Sequence, residues 1–174
     1  MNRNILQRAL LGAAFIFSML SVSTSNAQST QALDVTATVP SVCVIDVPGT
    51  DTTLAFDLST LDVAVTDFTS SANFSWRCSL STVIAISIDT GGSGSFVNRN
   101  MAGPGPGLNY NLYTDATLTT VWGDGTGGSS VVDETGLGMT TVGTSVIEGR
   151  VLLADAQVAA VGAYSDTVTV TLNP

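Results

Sequence analysis

From Thr167 to Leu172 the chain reads Thr-Val-Thr-Val-Thr-Leu, so every second residue is apolar and every residue between is threonine. A side-chain period of two places Val168, Val170 and Leu172 on one face of an extended strand and the threonines on the other. This period recurs along the chain. "LDVTATV" sets Leu33, Val35, Ala37 and Val39 against Asp34, Thr36 and Thr38. "TTLAFDL" alternates Leu54, Phe56 and Leu58, and "ANFSWRC" alternates Phe74, Trp76 and Cys78. "VCVIDV", "TVIAISID", "LNYNLYT", "SVIEGRVLLA" and "AYSDTVTVTLN" supply further strand candidates. Glycine-rich breaks at Thr90–Gly94, Gly103–Gly107, Gly123–Gly128 and Glu134–Gly138 separate them as turns. Ala154–Val161 has room for one short helical turn. Many short half-buried strands with frequent turns predict an all-β sandwich of seven or more strands.

The first residues predict where this sandwich is found. Arg3 and Arg8 precede the apolar run Ala9–Leu20, and small and polar residues follow as far as Ser25-Asn26-Ala27. That order reads as a secretory signal peptide, residues 1–27, cut after Ala27. The apolar run is shorter than the ~20 residues a membrane span requires, and no later segment reads as a span. Of 174 residues, 147 then remain, which fits a single domain.

Charge and residue usage exclude several functions. The chain carries five Lys+Arg against fourteen Asp+Glu, a formal net charge of −9. Both leader arginines are lost on cleavage, which leaves three arginines, no lysine and no histidine. So acidic a surface is unsuited to nucleic acid, whose phosphates require basic patches. Without histidine or lysine there is no Ser-His-Asp or Cys-His arrangement and no phosphate-binding lysine loop. The sequence predicts no catalytic residue, no cofactor and no metal. The carboxylate pairs Asp57/Asp62 and Asp133/Glu134 lack a pattern beyond their presence. The loops after Asp89 and Asp124 lack the ligand series of a calcium loop. Cys43 and Cys78, the two cysteines of an exported chain, predict a disulfide.

One stretch stands apart. "LNYNLYTDATLTTVWGDGTGG", Leu108–Gly128, concentrates two tyrosines, a tryptophan and two aspartates around a glycine-rich turn. It reads as a sandwich corner, with a sugar-stacking patch as the alternative. Tyr110, Leu112, Tyr113, Asp115, Trp122, Gly123 and Gly125 resemble, in order, the central signature of the spore coat protein U family. Arg99-x-Met101, Gly149-Arg150, Gln157 and Gly162-x-Tyr164-x-Asp166-Thr167-Val168 extend the resemblance over nearly all of the chain beyond Ala27. Three positions depart from the family: Glu148 where tyrosine is common, Phe56-Asp57 where Phe-Gly is usual, and a non-aromatic end at Leu172-Asn173-Pro174.

The resemblance implies an immunoglobulin-like β-sandwich that is incomplete and is completed by donor-strand exchange. Residues 28–40 would be the donor-strand extension, with Leu33, Val35, Ala37 and Val39 entering a neighbour's groove, and residues 41–174 the sandwich; the alternative for Leu33–Val39 is a plain first strand of the chain's own sheet. The groove would be lined by the last strand through Val168, Val170 and Leu172. The implied role is a structural subunit of a secreted fibre (an archaic chaperone–usher pilus) or coat. Its partners would be a periplasmic chaperone, an outer-membrane usher and copies of itself. A small adhesin recognising sugars or surfaces is the alternative.

Overall fold

In a computed structural model the described residues are 28–45 and 53–174. The expected leader, 1–27, lies outside them, as do Asp46 and Val47 of the strand candidate "VCVIDV" and Thr52 of "TTLAFDL". The chain divides into two units, Met1–Ala37 and Thr38–Pro174.

The second unit is built from eight strands among the described residues. They are β1 (Cys43–Ile45), β2 (Phe68–Cys78), β3 (Val83–Ile88), β4 (Arg99–Met101), β5 (Leu108–Tyr113), β6 (Val132–Thr135), β7 (Gly143–Val151) and β8 (Val170–Asn173). One short helix, α1 (Leu153–Val158), falls where a helical turn was expected. Every pairing is antiparallel. One sheet has the order β1-β2-β7-β5-β4 and the other β6-β3-β8.

The period-two residues meet between the sheets. Phe74, Trp76 and Cys78 of β2 are buried with Ile84, Ile86 and Ile88 of β3, Leu108, Tyr110 and Leu112 of β5, Trp122 and Val151. Burying side chains of this size contributes roughly 1.5–3 kcal/mol each, the dominant favourable term in such a fold. Trp76 keeps its indole N–H satisfied by Ser145 Oγ at 3.2 Å.

Several expectations are corrected. "TTLAFDL" forms no strand: residues 53–58 join no sheet, although Leu54, Phe56 and Leu58 still turn toward the core. The alternation is kept because packing of side chains imposes it, and no ladder is required. The expected Glu134–Gly138 turn begins two residues late, since Glu134 and Thr135 belong to β6. The final strand is shorter than its alternation, with only Val170–Asn173 in the ladder to β3. Neither β4 nor β6 is visible as alternation. In the first unit, residues 28–37 carry no secondary structure, and Leu33 and Val35 are 85% and 86% exposed.

Candidate functional site

Two regions contain most of the residues singled out in the sequence, an aromatic corner and a sheet edge formed by the last strand, while Leu33, Val35 and Ala37 lie in the first unit.

At the corner, Tyr110, Tyr113 and Trp122 are 8%, 5% and 1% exposed. Rings sealed to this degree have no free face on which a sugar can stack, which decides for the corner and against the sugar patch. Trp122 donates its indole N–H to the Ile86 carbonyl at 2.9 Å, tying the corner to β3 of the opposite sheet. Its backbone N–H donates to the Leu112 carbonyl at 2.9 Å. Gly123 follows because a Cβ there would meet the Ser129 side chain and come within 2.8 Å of the Phe96 ring. Tyr113 accepts a hydrogen bond from Arg150 Nη2 at 2.7 Å, with the guanidinium 4.9 Å from its ring centroid. Asp115 shapes the turn between the aromatics. Its carboxylate accepts from the Thr117 N–H at 2.9 Å, the Thr120 N–H at 3.3 Å and the Thr117 hydroxyl. The Thr117 hydroxyl first, with those N–H groups, holds its carboxyl below the usual range.

Beneath the corner lies Arg99, which is 0% exposed. Its guanidinium donates to Asn111 Oδ1 at 2.7 Å, to the Trp122 carbonyl at 2.7 Å and twice to the Asp89 carbonyl, at 3.0 and 2.8 Å. It also lies 5.2 Å from the Phe96 ring centroid. Asn111 was missed from sequence. Arg99 itself was legible only as a match to a family pattern, and its burial follows from the carbonyls that converge on it.

The edge begins where Arg99 ends. Opposed residues in an antiparallel ladder exchange two N–H···O bonds at alternate positions. Thr169 lies opposite Asp89, continuing the Ile88–Val170 register. The Asp89 N–H donates to the Thr169 carbonyl at 3.0 Å. The return bond is altered: because Arg99 occupies the Asp89 carbonyl, the Thr169 N–H donates instead to Asp89 Oδ1, at 2.9 Å. Burial pulls the Asp89 carboxyl up, but the Thr169 and Gly91 N–H groups, the Thr169 hydroxyl and the Arg99 charge together hold it below its ordinary value.

Three residues earlier Asp166 repeats the device. Its carboxylate accepts from the Gly92 N–H at 2.9 Å, the Thr167 N–H at 2.8 Å and the Tyr110 hydroxyl at 2.7 Å. Burial first, and the Asp166 carboxylate next, push the Tyr110 hydroxyl far above its usual range, so it stays a neutral donor. Gly91 has φ +61°, and a Cβ there would collide with the Asp166 carboxylate, so both conformation and space require glycine.

Val168, Val170 and Leu172 pack against the core yet remain half-buried. β8 pairs with β3 on one side only among the described residues, and it forms one edge of its sheet. β1, an edge of the other sheet, comes within 8 Å of it, Cα to Cα. The Cys43–Cys78 disulfide locks β1 to β2 at opposed positions, Cα–Cα 4.1 Å. A shallow cleft of about 470 Å³ lies at one end of these edges, lined by Val39, Leu80, Val83 and Pro174 among others. Val39 is 84% exposed.

Among the described residues no group of three or more His, Cys, Asp or Glu side chains is placed to hold a metal ion, and no helix is long and apolar enough to cross a membrane. Asp57 caps its own turn through the Ser59 N–H at 2.9 Å, and Asp124 does the same through the Thr126 N–H at 2.9 Å and hydroxyl at 2.6 Å.

Comparison with known proteins found no match among curated proteins. Among solved structures the chain is similar to a chain of the CsuC–CsuE chaperone–tip adhesion subunit pre-assembly complex from archaic chaperone–usher Csu pili of Acinetobacter baumannii. The identity is 20% and the TM-score 0.51, over 78% of this chain and 40% of that one. That likeness is one of fold, and this chain spans two-fifths of the other's length. The Spore Coat Protein U domain matches residues 29–171. With the Tyr110–Gly123 corner, the Arg99 centre and Asp166 all inside the matched span, the chain belongs to the Spore Coat Protein U domain family.

Proposed function

We propose that this chain is a structural subunit of a surface fibre or coat, exported through the periplasm and assembled by β-strand addition between copies of itself or related subunits. The observation that carries the reading is the edge of β8: a strand side with no ladder partner among the described residues, whose core-facing residues, Val168, Val170 and Leu172, are only half-buried. An open strand edge beside apolar side chains is a site for another strand. Residues 28–40 supply a strand of matching chemistry, with Leu33, Val35 and Val39 almost fully exposed. Each such side chain taken into a groove contributes roughly 1.5–3 kcal/mol. A donor on one copy and an acceptor on the next make a head-to-tail contact, which grows into a filament instead of closing.

Family membership and the likeness to a subunit seen with its chaperone support a periplasmic chaperone that fills the groove before assembly and an outer-membrane usher that exchanges it. The role needs no catalytic step. The adhesin alternative is the weaker reading, because the aromatic side chains offered for sugar stacking are sealed in the corner.

The test is Val35→Asp in the exported chain, read by electron microscopy of sheared surface material and by size-exclusion of the periplasmic fraction. Loss of filaments with a folded, chaperone-bound subunit is expected. Unchanged filaments would place the donor elsewhere.

A further inference from the structure

The accepting edge raises a problem of length. Leu33 to Val39 is seven residues, about 23 Å of extended chain at ~3.3 Å each. β8 is four residues, Val170–Asn173, about 13 Å by the same measure. A strand that paired only with β8 would leave three of its seven residues unsupported.

The segment before β8 continues its geometry without belonging to its ladder. Burial alternates through Tyr164, Asp166, Val168, Val170 and Leu172, all half-buried, with exposed residues between. Three attachments hold it in this line. Ser165 exchanges backbone bonds with Ala102, at 3.0 and 2.9 Å. Asp166 grips the Gly92 N–H and the Tyr110 hydroxyl. Asp89 takes the Thr169 N–H with its side chain, because Arg99 holds its carbonyl. Thr167 and Thr169 thus have their N–H groups bound by carboxylates on the inner side. By the alternation of an antiparallel strand, the N–H and C=O groups of Val168, Val170 and Leu172 then point to the open side.

Resting on the assembly reading above, we propose that Asp166 and Asp89, the latter set by Arg99, are positioning residues that extend the accepting edge back from Val170 to Asp166. The edge then runs from Asp166 to Leu172, seven residues, equal to the Leu33–Val39 stretch it receives. The carboxylates act through the backbone of the receiving strand and touch no part of the incoming one. The occupant they prepare for is a full seven-residue strand from a second copy of this chain.

The first test needs no substitution in the clasp. The full chain carrying Val35→Asp, so that its own extension does not compete, is mixed with a labelled peptide of residues 28–40. Amide hydrogen exchange is followed with and without the peptide. Protection reaching back to the Val168 and Asp166 amides is expected. Protection that stops at Val170 overturns the proposal while leaving strand addition intact, and absence of any peptide binding removes both.

The second test uses Asp166→Asn and Asp89→Asn in the same background, with peptides trimmed by three residues at either end of the 33–39 stretch. Near-ultraviolet circular dichroism from the buried Trp76 and Trp122 monitors the fold. Against the unsubstituted clasp, both trims should weaken binding tenfold or more. Against the variants, the trim that removes contact with residues 166–168 should have no effect. A merely structural role for the carboxylates predicts lower stability with both trims still effective, and that result overturns the proposal.

Discussion

The Tyr110 hydroxyl meets Asp166 Oδ2 at 2.7 Å and so joins β5 of one sheet to the segment that leads into β8 of the other. Tyr110→Phe removes this bond and leaves the carboxylate with its two backbone donors. Hydrogen bonds to charged groups contribute about 1.5–3 kcal/mol. The variant should lose that much stability in urea unfolding, with its disulfide and core intact.

The same pair fixes behaviour in alkali. Burial and the Asp166 carboxylate raise the Tyr110 hydroxyl above its unfolded value of ~10. A raised folded value gives stability that is complete below the unfolded value and is lost as pH rises beyond it. The urea midpoint should therefore hold up to about pH 10 and fall above it. Tyr110→Phe should flatten that fall.

In acid the sign reverses. Asp89 is held below its ordinary value, as are Asp57, Asp115 and Asp124 in their turns. Their stabilisation is present above ~4 and is lost as pH falls through the lower folded values. Hydrogen exchange at the Thr169 amide, which Asp89 accepts, should accelerate below about pH 4 relative to amides in β2.

The disulfide closes a loop of 35 positions. The chain-entropy account gives roughly 4 kcal/mol for such a loop. Cys43→Ser should lower stability by a few kcal/mol and release β1, a three-residue strand at the edge of its sheet, first. The measurement is urea unfolding together with exchange at Val44 and Ile45.

Gly123→Ala tests the corner. The added Cβ has no room beside Ser129 and Phe96. Overpacking of this kind costs about 1–3 kcal/mol. Thermal unfolding should show that loss, whereas alanine at exposed Asp124 should cost less.

The sandwich was legible because burial on one face imposes period two, and that period survives wherever side chains meet the core, even in Leu54–Leu58 where no ladder forms. β4 and β6 were hidden for the converse reason. Three or four residues are too few to show a period, and in β4 the decisive residue, Arg99, is a buried cation that hydropathy assigns to the surface. The reach of the last strand was overestimated as a ladder. Alternation reports which way side chains face, and it is silent on whether the backbone bonds to a neighbour or to the carboxylates of Asp89 and Asp166. Asn111 was missed because its partner Arg99 is twelve positions away and no local pattern links them. The disulfide needed only compartment and count.

The placement of the arginines has a consequence for resistance to proteolysis. Beyond Ala27 the chain offers a trypsin-like protease only Arg77, Arg99 and Arg150, and no lysine. All three lie within strands, β2, β4 and β7, and Arg99 is entirely enclosed. Such a protease must draw an extended stretch into its cleft, so none of the described loops, however mobile, gives it a point of attack. Digestion by enzymes of this specificity waits on unfolding, and the chain's lifetime in their presence is set by how rarely its sheets open.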